Sequence, residues 1–290
     1  MDNTVQLIDY VNALQDKNSY GRLRLLLDML GNLGIQSSFQ KSRWLRITNV
    51  VVDFSSGEKE RCLLFSAHYD AVKGSPGAND NASSVAVLLG LCQVLRMSRI
   101  PIRVVFFDRE EAWLRTPLIR LGLLGSLYYV NNVNLKNISA VCNLEFCGEG
   151  DFLGIWPVKA KGNKMPLLNE VQKAARQIGL PFDSVHIPWP VISSDHLSFR
   201  LKGITNALTL SLIPKDQVPV LRELLTRTSL KRYLAGRRPP FPTPLSVIHS
   251  CDDTSDRLGE GSLRLMLSLL LQLIRNSFPQ KNTFCSVKPG

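Results

Sequence analysis

Apolar residues recur every three or four residues in some parts of the chain, which predicts helices. In other parts they form short, nearly continuous apolar runs, which predict strands. Helices are predicted over 4–15, 20–33, 83–96, 166–178 and 261–275. Strands are predicted over 44–54, 61–67, 102–107, 138–146, 151–156 and 206–213. The polar residues 55–60 predict a turn that joins the first two strands into a hairpin.

The alternation of these elements, and the apolar character of several strands on both faces, indicate an α/β fold. We predict a mixed, mostly parallel twisted sheet that is covered by helices on both faces. No repeat or low-complexity linker divides the 290 residues, so a single domain over 1–290 is expected. Residues 214–247 are rich in proline and arginine and predict a basic excursion from this domain.

Composition narrows the range of functions. The chain is 44% hydrophobic and 20% charged, as ordinary globular proteins are, and its six cysteines lack a paired motif, which predicts reduced thiols. A net charge of +11 raises the question of nucleic-acid binding, but the basic residues are scattered outside 227–242 and no nucleic-acid motif accompanies them. Neither a membrane span nor a signal peptide is recognisable, so a cytoplasmic location is expected, or a secreted one if a leader has been trimmed.

Acidic and imidazole side chains fall where the apolar elements end. In chain order these residues are His68, Asp70, Asp80, Glu110, Glu111, Glu145, Asp195, His196 and His249. Because open α/β sheets bind ligands outside the carboxyl ends of their strands, we expect these side chains to converge on one pocket. Two imidazoles and three carboxylates make an ordinary ligand set for zinc or a related divalent cation. That set is His68, Asp80, Glu111, Glu145 and His249.

Each of these signals, taken alone, has an ordinary structural explanation. A His-x-Asp pair after a strand is common, and adjacent glutamates are usually a solvated pair. Glu145 differs, because apolar residues flank it and an unpaired buried carboxylate is costly. The order and context of the whole set make the signal strong. Two metals that share a bridging carboxylate would need about this many ligands, with positions left for water.

Five segments, in the same order, resemble the signature segments of the co-catalytic double-zinc aminopeptidases. They are SAHYDAV…GANDNASS, FFDREEAW…LLGSLYYV, NLEFCG, SSDHLSF and IHSCDDT, and they lie between residues 60 and 258. This family belongs to the zinc exopeptidase superfamily, which also contains glutamate carboxypeptidases and, as a divergent branch, glutaminyl cyclases. The resemblance implies a phosphorylase/hydrolase-like α/β fold and a metallo-exopeptidase activity, with an aminopeptidase favoured.

The resemblance also implies which residues hold the metals. Asp80 would bridge two zinc ions. His68 and Glu145 would complete one site, and Glu111 and His249 would complete the other. The peptide bond that follows Asp80 is often cis in this family.

Further roles around the metals follow from the same resemblance. Glu110 would be the general base, which takes a proton from the water between the metals and delivers it to the leaving amine. Asp70 would hold the second ring nitrogen of the neighbouring histidine ligand. Asp195 would lie in the pocket for a small peptide substrate and contact its free amine. His196 and Trp113 are further candidates for lining that pocket.

Two departures from the family pattern leave a second function open. Glu145 stands where many of these aminopeptidases have aspartate, and an insertion separates Glu111 from LLGS, as in the glutaminyl cyclase branch. In that branch one zinc suffices, held by the equivalents of Asp80, Glu111 and His249, and an N-terminal glutamine amine attacks its own side-chain amide. The GANDNASS loop and the absence of a tryptophan before His249 favour the peptidase. A catalytically inactive binding protein on the same fold is a third alternative.

Overall fold

The computed structural model describes residues 6–55, 60–111, 114–115, 120–157, 165–184, 194–224, 226 and 241–279. Its α-helices are α1 (Leu7–Leu14), α2 (Ser19–Asn32), α3 (Ser83–Leu95), α4 (Leu124–Asn132), α5 (Pro166–Gln177), α6 (His196–Leu201), α7 (Val218–Leu224) and α8 (Glu260–Ser277). Its strands are β1 (Ser38–Ser42), β2 (Ile47–Asp53), β3 (Cys62–His68), β4 (Ile102–Phe107), β5 (Leu114–Arg115), β6 (Arg120–Leu121), β7 (Ile138–Leu144), β8 (Phe152–Pro157), β9 (Phe182–Ser184) and β10 (Ala207–Ile213). Every helix and strand predicted from the sequence is present, with ends that differ by a few residues.

Eight of these strands form one sheet in the order β1-β2-β4-β3-β7-β10-β8-β9. Its four central strands, β4, β3, β7 and β10, run parallel to one another. Antiparallel pairs join β1 to β2, β2 to β4 and β8 to β10, while β9 is parallel to β8. β5 and β6 pair with each other in a separate antiparallel ribbon. The predicted mixed, mostly parallel sheet is therefore confirmed.

The predicted hairpin between 44–54 and 61–67 is wrong. β2 pairs with β1 and β4, and β3 lies between β4 and β7, parallel to both. All seven residues of β3 are buried, and a strand that is apolar on both faces belongs in the middle of a sheet. The strand next to β2 in the chain that pairs with it is the largely exposed and polar β1, whose sequence gives no hydrophobic signal.

Helices cover both faces of the sheet, as predicted. On one face α3 and α5 pack against the strands, and α1 and α8 pack on α3; all four helices share one apolar core with Phe65 of β3 and Val104 of β4. On the other face α4 and α6 supply Tyr129 and Phe199, whose ring centroids lie 5.6 and 6.1 Å from that of Phe107. α3 is buried along nearly its whole length, because α1 and α8 cover the side that the sheet leaves open. Within the described ranges, no helix is long and apolar enough to cross a membrane.

The proline- and arginine-rich segment 214–247 packs on the domain at both of its ends. α7 buries two leucines against Phe146 and Trp156, and Leu245 joins the same small apolar cluster. Trp156 is therefore a core residue. Residues 227–240, which contain five of the seven lysines and arginines of the predicted basic excursion, lie outside the described residues.

Candidate metal centre

Several chain segments meet at the carboxyl end of the central parallel strands. β3 ends at His68, Glu110 and Glu111 follow β4, and Glu145 follows β7. Because β4, β3 and β7 are parallel neighbours, these side chains reach the same edge of the sheet. The loops that precede α3 and α8 bring in the two remaining predicted ligands.

Asp80 lies between the two imidazoles of the predicted ligand set. Its Oδ1 is 3.3 Å from Nε2 of His68, and its Oδ2 is 3.1 Å from Nε2 of His249. A second carboxylate flanks each ring: Glu145 Oε2 is 3.4 Å from the first Nε2, and Glu111 Oε1 is 3.0 Å from the second. The five predicted ligands therefore form one cluster, in which Asp80 has one oxygen toward each half.

The donor set of this cluster fits a divalent cation. One ligating atom from each of His68, Asp80 and Glu111 lies within 4.8 Å of the other two. Imidazole nitrogens and carboxylate oxygens are the donors that zinc takes when it keeps positions open for water. The ligand roles themselves stay predictions.

The pKa values of both imidazoles in the cluster are raised. Burial alone would lower the pKa of His68, but the Glu145 charge and side-chain hydrogen bonds outweigh it and raise that pKa well above its usual value. Burial is likewise outweighed at His249, where hydrogen bonds to Asp80 and Glu111 raise the pKa to about 9. The same imidazoles lower the pKa of Asp80 despite its burial. A divalent cation would therefore replace protons on both rings.

Asp70 connects two of the segments that meet here. Its Oδ1 lies 3.3 Å from Nδ1 of His68 and accepts a hydrogen bond from the backbone amide of Glu110 at 3.1 Å. Its Oδ2 accepts a hydrogen bond from the backbone amide of Glu111, also at 3.1 Å. Asp70 thus touches the ring of one predicted ligand and the backbone of another, and this geometry suits the positioning role predicted for it.

Asp253 holds the Asp80 segment in the same way, although it was not predicted from the sequence. Its two carboxylate oxygens accept hydrogen bonds from the backbone amides of Asn79 and Asp80, at 2.8 and 3.1 Å. Burial and the Asp80 charge raise the pKa of Asp253 to about 6, although the two amides oppose that rise. The available signal was the acidic pair in IHSCDDT, whose second member lies four residues after His249.

The peptide bond between Asp80 and Asn81 is cis, as the resemblance implies.

A hydrogen-bond chain orients Glu145. The Ser194 hydroxyl donates to its Oε1 at 2.9 Å, and Nδ2 of Asn143 donates to the same oxygen at 3.3 Å. The Ser66 hydroxyl in turn donates to Oδ1 of Asn143 at 2.7 Å, which fixes the orientation of that amide. Oε2 of Glu145 is thereby left to face His68. Sequence patterns gave no sign of this chain, because hydroxyl and amide side chains are common in many settings.

Three further predicted residues, Glu110, Asp195 and His196, are buried close to this cluster. Glu110 is buried, and this burial raises its pKa well above the usual value. Asp195 is fully buried, neither of its carboxylate oxygens has a partner among the described residues, and burial raises its pKa to about 7. Nδ1 of His196 lies 2.7 Å from the Thr209 hydroxyl, and burial lowers the pKa of His196 to about 3. Trp113 lies outside the described residues.

Comparisons with known proteins show similarity to peptidases. The model of peptidase family M28 matches residues 49–274. Aminopeptidase YwaD of Bacillus subtilis (strain 168) is 35% identical over 152 residues, which cover 50% of this chain and 31% of that protein. An aminopeptidase of Pseudomonas aeruginosa is 34% identical over 110 residues, which cover 36% of this chain and 19% of that protein. The chain thus spans less than a third of the length of either relative.

Solved structures share the fold at lower sequence identity. The zinc aminopeptidase BSAP from Bacillus subtilis superposes with a TM-score of 0.58 at 24% identity, covering 79% of this chain and 50% of that one. A leucine aminopeptidase precursor from Bacteroides thetaiotaomicron gives 0.67 at 18% identity, covering 93% and 96%. A glutaminyl cyclase from Tannerella forsythia gives 0.66 at 19% identity, covering 93% and 97%. At these identities the likeness shows the fold alone.

Zinc binding should release protons, because His68 and His249 must be neutral to act as ligands. We expect zinc affinity to rise with pH up to about pH 9, the pKa of His249, since below that pH the raised imidazole pKa values favour the protonated, non-binding form. Isothermal titration calorimetry in two buffers of different ionisation enthalpy counts the protons released. His249→Gln should release about one proton fewer. Zinc binding without proton release would contradict the assigned ligands.

Asp253→Asn should weaken the centre without removing a predicted ligand. The amide oxygen can accept one backbone hydrogen bond, but the amide nitrogen would face an N–H group and leave it unpaired, which costs about 1–3 kcal/mol. We expect a lower midpoint of thermal unfolding in chelator and weaker zinc binding. Asp252→Asn, at the exposed neighbouring position, is the matched control. Equal behaviour of the two variants would refute the role given to Asp253.

Proposed function

Because the chain belongs to peptidase family M28, we propose that it is a zinc-dependent aminopeptidase that removes the N-terminal residue from short peptides. The observation that carries this proposal is the position of Asp80 between His68 and His249, with one carboxylate oxygen toward each ring. Glu145 and Glu111 add a further carboxylate to each half. This arrangement supports two zinc ions that share Asp80.

Proton transfer is the task proposed for Glu110. Bound zinc would supply the positive charge that polarises the scissile carbonyl and lowers the pKa of water. Asp70 fixes the backbone of Glu110 beside the ligands, and the Glu110 carboxylate takes the proton of the attacking water and passes it to the leaving amine. Burial raises the pKa of Glu110, and the neighbouring carboxylates add to this rise while His68 opposes it. The positive charge of bound zinc would lower that pKa, so that the group could both accept and release a proton.

Asp195 and His196 are the groups proposed to bind the substrate. The buried Asp195 carboxylate lacks a partner within the described ranges, so the ammonium group of a peptide would satisfy it. His196 is uncharged at neutral pH, and its Nε2 also has no partner there. Both residues directly follow Ser194, which donates a hydrogen bond to Glu145, and they therefore lie next to the predicted ligands.

The substrate proposed for this centre is a small peptide. A cleft of about 580 Å³, lined by Asp70, Glu111, Lys73 and Arg109 among other residues, opens beside the predicted ligands and has the size of ordinary small-ligand pockets. Its three cationic side chains, Arg46, Lys73 and Arg109, would attract the carboxylate of a short peptide. A cytoplasmic location, and the lack of a nucleic-acid or membrane partner, stay predictions.

A glutaminyl cyclase is the alternative function, favoured by the insertion that follows Glu111. The fold does not decide between the two, because aminopeptidases and cyclases share it. His68 and Glu145 favour the peptidase, because they offer a second group of ligands that a single zinc does not need. The hydrogen bonds from Ser194 and Asn143 hold Glu145 in that place. An inactive binding protein would leave both groups of ligands unexplained.

Two substrates and one variant test these proposals together. The zinc-loaded protein should release aniline from aminoacyl anilides, whereas conversion of a Gln-initiated dipeptide into its pyroglutamyl form would favour the cyclase. Glu110→Gln should lower kcat about 10²–10⁴-fold, because it removes the proton acceptor. Its zinc content, measured by elemental analysis, should stay unchanged, because no ligand is lost.

Matched variants separate proton transfer from metal binding. Glu223→Gln, on the exposed side of α7, should behave as the unmodified protein does. Asp80→Ala should lose zinc and activity together, because it removes the shared ligand. Near-normal turnover of Glu110→Gln would show that the proton acceptor is a different group.

A further inference from the structure

Arg22 is a fully buried cation that joins α2 to the loop between two predicted ligands. α2 begins after Asn18, whose side chain accepts a hydrogen bond from the backbone amide of Gly21 at 2.9 Å. Arg22 lies in the first turn of α2, and it is only 1% exposed. Its place in the fold is therefore internal, where an arginine is seldom found.

The Arg22 guanidinium donates hydrogen bonds to four backbone carbonyls. Nε donates to Lys17 at 3.2 Å, and Nη1 donates to Tyr69 at 3.4 Å. Nη2 donates to Pro76 at 2.8 Å and to Gly77 at 2.9 Å. Three of the four carbonyls belong to residues 69–77, which we call the 69–77 loop.

The 69–77 loop runs from the residue after His68 to a point three residues before Asp80. Gly77 ends it in the left-handed conformation, with φ of 64°. A Cβ at this position would lie 2.6 Å from Nη2 of Arg22 and 2.9 Å from the carbonyl oxygen of Asp80. Glycine at this position thus lets the guanidinium reach the loop close to the shared ligand.

The charge of Arg22 also faces the acidic cluster. Burial lowers its pKa, and the charges of four carboxylates oppose that effect; these belong to Asp70, Asp80, Asp253 and Glu111. The acceptors of its hydrogen bonds are neutral backbone carbonyls, so its positive charge is not paired with one carboxylate. Because arginine keeps its proton in proteins, it gives this cluster a positive charge that does not depend on metal.

We propose that Arg22 is a positioning residue of the metal centre, which holds the 69–77 loop so that His68 and Asp80 keep the spacing required for metal binding. The proposal rests on the proposed zinc-dependent function. Arg22 donates hydrogen bonds to the carbonyls of Pro76 and Gly77, and Asp253 accepts hydrogen bonds from the amides of Asn79 and Asp80. The backbone that leads to the predicted shared ligand Asp80 is thus held by two protein side chains.

Arg22→Lys is the informative variant, because it keeps the charge but cannot span four carbonyls with a planar fork. We expect its zinc affinity to fall about 10–100-fold, as is typical when residues that support metal ligands through hydrogen bonds are changed. The affinity is measured by competition with a chromogenic chelator. Arg24→Lys, at an exposed position of the same helix, is the control and should bind zinc normally. Arg22→Gln removes the charge as well and should bind zinc more weakly still.

Hydrogen–deuterium exchange on the zinc-free proteins separates positioning from general stability. In Arg22→Lys the amides of residues 69–80 should exchange faster, while those of β7 keep their protection. Unchanged zinc affinity, or faster exchange that is equal in β7 and in the loop, would overturn the proposal. If the unmodified protein bound no zinc, the proposed function would fail, and the exchange data would still decide whether Arg22 holds the loop.

Discussion

The physical constraint on which this structure depends is the repulsion among carboxylates gathered in one buried place. All of them are less than a tenth exposed: Asp70, Asp80, Glu110, Glu111, Glu145, Asp195 and Asp253. Like charges at such close range cannot all be ionised unless cations or hydrogen-bond donors face them. The protein supplies two imidazoles, several backbone amides and one buried guanidinium, and a divalent cation would supply the largest positive charge. The proposed affinity for a divalent cation would thus follow from the way the chain folds.

Hydrogen bonds from backbone amides to buried carboxylates offset part of this repulsion, and they also fix the backbone of the predicted ligands. Asp70 and Asp253 each accept hydrogen bonds from two consecutive backbone amides, so a carboxylate from one segment holds a predicted ligand on another. Ser194 and Asn143 orient Glu145 in a similar way. Buried strands and the buried helix α3 form the rigid support behind these contacts. A site built in this way keeps its geometry without relying on the metal alone.

Features that depend on residue type and chain order could be predicted from the sequence, and features that depend on packing could not. The meeting of His68, Glu111 and Glu145 followed from the rule that parallel strands present their carboxyl ends together. Arg22 and Asp253 were missed, because a cation in an amphipathic helix and an aspartate in a polar loop both suggest the surface. The pairing of β2 with β3 was predicted wrongly, because neighbours in sequence usually pair and the polar β1 gave no hydrophobic signal.

A crystal structure of the zinc-loaded protein, with anomalous diffraction measured at the zinc absorption edge, tests the central claim most directly. We predict two anomalous peaks that share Asp80, one completed by His68 and Glu145 and the other by Glu111 and His249. A single peak that leaves His68 and Glu145 without metal, or peaks away from Asp80, would contradict the two-metal centre.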